Sequence, residues 1–113
     1  MFAEHSKCAS HDSGEELSVR LSGEIDHHSA ATVRECIDRE MMKYRPKILT
    51  LDLGDVSFMD SSGLGLVLGR SALGEDIGTR IRLCSVNARI MKMLVLAGVD
   101  RIKNISIEKK GEK

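Results

Sequence analysis

The stretch from Ile48 to Gly74 constrains the fold more than any other. Ile48-Leu49-Thr50-Leu51-Asp52-Leu53 is a strand, apolar enough to lie in the middle of a sheet. Gly54-Asp55 reads as a turn, and Val56, Ser57 and Phe58 return towards the core and deliver Asp60. The periodicity then changes. Leu64, Val67 and Leu68 recur at helical spacing, with Ala72 four residues further on, which predicts a helix from Ser61 to about Gly74.

The same exchange of periods runs through the chain. Leu17, Val19 and Leu21 alternate with Ser18, Arg20 and Ser22, the mark of a half-buried strand. Ala30, Val33, Ile37, Met41 and Tyr44 then form one apolar helical stripe, with Ser29 placed as N-cap and Pro46 as the stop. After a loop at Asp76-Ile77-Gly78, Ile81 to Val86 is a strand. Asn87 caps a third helix whose rows are Ile90, Leu94, Ala97 and Met91, Val95, Gly98. Ile102, Ile105 and Ile107 suggest a short last strand. At the start, a polar edge strand is expected from about Phe2 to Ser10, followed by a turn at His11-Asp12-Ser13-Gly14. Strands alternating with helices of this length imply an α/β domain with a mixed sheet of four to five strands packed against helices. The expected division is an N-terminal segment or edge strand at 1–14, one domain at 15–107 and a solvated tail at 108–113.

Composition narrows the function classes. The 113 residues suffice for a single core. Seventeen basic and seventeen acidic side chains cancel, which argues against direct nucleic-acid binding. No apolar run approaches the ~20 residues of a membrane span, and no signal-peptide pattern is present, so a cytoplasmic protein without membrane contact is expected. Cys8, Cys36 and Cys84 are far apart and odd in number, and are read as reduced thiols. His27 and His28 adjoin Asp26, but neighbours on a helix or strand point apart and no third ligand is at hand, so no metal site is assigned.

The chemistry concentrates in Phe58 to Arg70, FMDSSGLGLVLGR. Asp60 and Ser61 ahead of an apolar helical run are helix-start residues, since their oxygens accept from the unpaired amides of the first turn. Ser61 would then sit at the positive end of a helix, where a phosphate is favoured. Gly63 and Gly65 clear side chains from around the hydroxyls, giving another protein room to approach. A plain capped helix is the simpler alternative. A hydrolytic serine would need a base and an oxyanion hole, and neither a GxSxG elbow nor a triad pattern is present, although convergence of His27 or His28 on Ser61 stays open. Gly63, Gly65 and Gly69 do not follow the first strand as a dinucleotide fingerprint does. No catalytic residue and no cofactor are assigned.

FMDSSGLGLVLGR resembles the signature of STAS-domain anti-anti-sigma factors, particularly the sporulation sigma F branch, and GEIDHHS (Gly23 to Ser29) is a second point of resemblance. The resemblance implies the STAS fold over roughly residues 15–107. Members usually carry a further C-terminal helix, which this sequence does not complete. It implies phosphorylation of the first serine of DSSG, here Ser61, by a partner kinase. It also implies a partner-binding set of Asp26, Ser29, Asp60, Ser61, Ser62, Gly63 and Leu64, with Ser29 as a capping or contact residue. The implied partners are an ATP/ADP-binding anti-sigma factor that is also a serine kinase, and a PP2C-type serine phosphatase. A stress-type partner-switching antagonist of the same fold is the near alternative, and a nucleotide-binding or hydrolytic domain the distant one.

Overall fold

The strand at the centre of the chain is also the centre of the sheet. In the computed structural model, which describes residues 8–111, β3 (Ile48–Met59) lies between β2 (Glu16–Ile25) and β4 (Arg80–Val86), parallel to both. β5 (Ile105–Lys109) extends the parallel set, and β1 (Cys8–Asp12) adds antiparallel to β2, giving five strands in the order β1-β2-β3-β4-β5. Three helices connect the parallel strands: α1 (Ala30–Tyr44), α2 (Ser61–Ile77) and α3 (Ala88–Leu96), the last followed by a 3-10 turn at Val99–Arg101. This is the expected mixed sheet packed against helices, with five strands. None of these helices is long and apolar enough to cross a membrane.

The strand alternation separates two faces. Leu17, Val19 and Leu21, Leu49, Leu51 and Leu53, and Ile81 and Leu83 join Val33, Ile37, Met41, Leu66, Val67, Ile90 and Leu94 in one buried cluster. The opposite face carries a charged ladder. Arg82 donates to both carboxylate oxygens of Glu108 at 2.6 and 2.9 Å and lies 3.5 Å from Glu16, whose carboxylate accepts from Thr50. A sheet with helices on one side only can leave its second face polar, because the layer needs just one apolar side.

Several elements differ from the sequence expectation, each for a local reason. Gly54-Asp55 is not a turn. Residues Arg20 and Ser22 pair with Asp52 and Asp55, so β3 carries an extra residue there and absorbs the glycine as a bulge inside a continuous strand. His11 and Asp12 belong to β1, and the reversal comes at Ser13-Gly14, where Gly14 has φ +97°. The part of the expected edge strand before Cys8 lies outside the described residues. α2 runs on to Ile77, since Gly78 at φ +80° supplies the left-handed cap with its amide bonded to Gly74 O. Tyr44 is exposed, and the buried stripe of α1 is instead Val33, Cys36, Ile37, Glu40 and Met41. Glu40 is admitted because its carboxylate accepts from Ser10 Oγ at 2.9 Å. Cys36 is disulfide-bonded, against the expectation of three reduced thiols, whereas Cys84 is free. Sequence spacing carries no information about the Cα separations on which pairing depends.

Candidate functional site

Parallel pairing brings the two motifs together. Glu24 and Ile25 at the end of β2 lie opposite Phe58 and Met59 at the end of β3, and the Asp60 amide donates to Ile25 O at 3.3 Å. The chain therefore leaves two adjacent strands on the same edge, once into Asp26-His27-His28-Ser29 and once into Asp60-Ser61. Ligand sites in open α/β sheets form outside the carboxyl ends of parallel strands, and this is such an edge.

Asp60 is the N-cap of α2. Its backbone is extended (φ −109°, ψ −165°), its carboxylate accepts from Ser62 N at 2.8 Å, and its carbonyl accepts from the amides of Gly63 and Leu64. Ser61 is the first residue of α2 and is exposed; Ser62 and Leu64 are half-buried. The hydroxyl of Ser61 thus stands at the amino end of a helix and is open to another molecule.

Gly63 plays a different part from the one expected. It is buried, and a Cβ there would lie 2.3 Å from Met59 Cγ and 3.2 Å from Ile25 Cγ2. Its missing side chain lets the first turn of α2 sit on the ends of β2 and β3, so it serves internal packing rather than an approaching partner. Gly65 differs: it is exposed, and a Cβ there would meet nothing within 4 Å.

Asp26 organises the neighbouring turn. Its carboxylate accepts from the amides of His28 at 2.9 Å and Ser29 at 3.1 Å, while its carbonyl accepts from Ala30 N. Partial desolvation raises the carboxyl pKa, but these two amide bonds and the adjacent imidazoles outweigh it, and the group titrates below the usual carboxylate value. Ser29 is next to the first helical residue but makes no side-chain cap. Its hydroxyl donates to Glu24 O at 2.7 Å and accepts from Asp26 N at 3.1 Å, locking the loop back onto β2. The two imidazoles do not point apart as they would on a regular element. In the turn their ring centroids are 4.0 Å apart. The described residues include no group of three or more His, Cys, Asp or Glu able to hold a metal ion.

The structure joins residues of the two motifs to others that the sequence did not single out. A cleft of about 360 Å³ separates the starts of α1 and α2, lined by His27, Ala30, Ala31, Arg34, Ser62 and Gly65. Further down the same interface, Arg70 Nε lies 2.9 Å from Asp38 Oδ1 without the alignment of a hydrogen bond, and Arg70 Nη1 has no partner among the described residues. Burial lowers the Arg70 pKa, against the raising effect of Asp38. Phe58 is exposed although the apolar pattern assigned it to the core. The pair of small residues Ala30-Ala31 facing Gly65 was the available sequence signal for the cleft.

Comparison with known proteins gives a consistent family. A STAS domain model matches residues 9–109. The anti-sigma F factor antagonist of Paenibacillus polymyxa is 39% identical over 89 residues, 79% of this chain and 76% of that protein. The anti-sigma-B factor antagonist of Bacillus subtilis is 30% identical over 96 residues, 85% of this chain and 86% of that one. Among solved structures, the anti-sigma factor antagonist SpoIIAA in its unphosphorylated form is similar with a TM-score of 0.75 at 28% identity, covering 88% of this chain and 86% of that one. Its phosphorylated form gives a TM-score of 0.69 at 28% identity, covering 88% and 89%.

Proposed function

This chain belongs to the STAS domain family, and we propose that within it the protein acts as an anti-sigma factor antagonist switched by phosphorylation of Ser61. Unphosphorylated, it binds an ATP- or ADP-loaded anti-sigma factor that is also a serine kinase, and the sigma factor is released. The kinase phosphorylates Ser61 and the complex separates; a PP2C-type phosphatase restores the hydroxyl. Asp26, Asp60, Ser61, Ser62 and Leu64 form the contact edge, with Ser29 and Gly63 holding its two loops in place. The protein is a substrate of the kinase rather than a catalyst, and works in the cytoplasm.

The observation that carries this reading is the exposed hydroxyl at the first residue of α2, on the edge where both motif loops emerge. Phosphorylation there adds about −1.5 to −2 charge. An interface fitted to a neutral hydroxyl beside two carboxylates then has to desolvate a dianion, at a cost of several kcal/mol, and each ~1.4 kcal/mol is tenfold in affinity.

Calorimetric titration against the kinase with ADP tests the proposal. Ser61→Ala binds and resists phosphorylation, while Ser61→Asp binds at least about a hundredfold more weakly. Equal affinities for the two variants reject it. Likeness to the Bacillus subtilis anti-sigma-B factor antagonist favours a second reading, the same switch in a stress pathway; binding to one of the two cognate kinases and not the other separates them. ATP turnover by the pure protein alone would instead favour an enzyme.

A further inference from the structure

The cleft between the starts of α1 and α2 carries a positive charge that the fold does not use. Arg34 lines it, is exposed, and makes no hydrogen bond or ion pair among the described residues. Asp38 lies four residues further along α1, at the spacing where Arg and Asp pair on a helix. Its carboxylate is turned to Arg70 instead, with Oδ1 2.9 Å from Arg70 Nε. Two guanidinium groups are left with one carboxylate between them: burial lowers the Arg70 pKa, and the like charge of Arg34 adds to that effect. No acidic side chain lines the cleft, and His27 is the other ionisable group in its wall.

Ser61 stands at the mouth of this cleft. Ser62 and Gly65 line it, and Ser61 precedes Gly65 by four residues, so it lies over the same face of α2. A side chain at position 65 would stand in the space below the Ser61 hydroxyl. Glycine leaves that space open, with nothing within 4 Å of where a Cβ would be. The amino ends of α1 and α2 meet at this edge and favour an anion. If Ser61 is the phosphorylated residue, one anion must come here, and it is the phosphoryl group itself.

We propose that Arg34 holds the phosphate of phosphorylated Ser61, its guanidinium donating across the mouth of the cleft to the phosphoryl oxygens. The proposal rests on the reading of Ser61 as the modified residue. Glu24, Asp26 and Asp60 at the same edge raise the proton affinity of the phosphate, and His27 and His28 lower it when protonated. Arg34 is the cation of this set that stays charged at every pH where the phosphate titrates. An exposed pair of this kind adds little to folding stability, so its signature lies in the phosphate rather than in the fold.

The test uses the full chain with phosphoserine encoded in place of Ser61, so it needs no kinase. A kinase that leaves Ser61 unmodified would reject the switch, and this measurement would still decide where the phosphate sits. Phosphorus NMR follows the second dissociation of the phosphate, whose pKa is about 6 in free phosphoserine. Arg34→Gln lowers its acid dissociation constant at least about threefold, and Arg34→Lys, which keeps a charge, lowers it less. Arg39→Gln, an exposed charge on another face of α1, leaves it unchanged. In the wild-type background the Arg34 Nε–H resonance moves between the serine and phosphoserine forms while that of Arg39 does not, a readout that no loss of folding in a variant can mimic. Equal dissociation constants with and without the Arg34 guanidinium, an equal effect from Arg39→Gln, or an unmoved Arg34 resonance overturns the proposal.

Discussion

A carboxylate that accepts two backbone amides is a stronger acid than one in water, because protonation breaks bonds made only by the charged form. Asp26 is such a group: bonds from His28 N and Ser29 N and the adjacent imidazoles bring its pKa below the ordinary 3.8, despite desolvation acting the other way. Its ionised form therefore contributes stability above that ordinary value, and the contribution is lost as pH falls through the depressed one. Asp26→Asn is expected to be less stable than the wild type at about pH 6, with the difference shrinking as pH falls through the acid range. Urea melts of both proteins across that range check the sign, and a difference that grows on acidification contradicts it. Asp60 could be read as a cap from sequence, since its carboxylate bonds only two residues ahead, to Ser62 N. Ser29 occupies the N-cap position expected from its place ahead of α1 but makes no side-chain cap, because its hydroxyl is taken by Glu24 O, a partner fixed by how the loop folds back.

Glycines in α2 separate packing from propensity. Gly74 lies where a Cβ would be 2.5 Å from Thr79 O, and backbone cannot step aside. Gly69 has nothing within 4 Å of its missing Cβ, yet it still carries the entropy cost of glycine inside a helix. Gly74→Ala is expected to destabilise by about 1–3 kcal/mol, and Gly69→Ala to stabilise by about 0.5–1 kcal/mol. Urea denaturation measures both, and the two changes must have opposite signs. From sequence these glycines look alike. Element type was legible wherever period decided it, as in Ile48 to Leu53 and in Asn87, whose side chain accepts from Ile90 N. Boundaries were not legible where the deciding contact was remote or conformational. Gly54 entered a strand because β2 pairs alongside it, and α2 gained a turn because Gly78 adopts a left-handed conformation.

Across the whole molecule, the parallel sheet does what neither motif does alone. GEIDHHS and DSSG lie more than thirty residues apart in the chain and meet because β2 and β3 end side by side. The cleft between α1 and α2 follows from the same geometry, with His27 of one motif and Ser62 of the other in its lining. The proposed switch can thus act on a contact surface without acting on the fold. A dianion on Ser61 gains about 0.3–1 kcal/mol from the helix amino end, and faces repulsion from Asp26 and Asp60 that water and salt screen at an exposed site. These small opposed effects leave the folding stability of the phosphorylated protein within about 1 kcal/mol of the unmodified form. The same dianion in the interface costs several kcal/mol. Urea unfolding of both forms, set beside calorimetric titration with the kinase, measures the two quantities independently. Unchanged unfolding with lost binding is the expected pair. A phosphorylated form that unfolds at much lower urea would mean that the switch works by loosening the domain, and the contact edge would no longer be its seat.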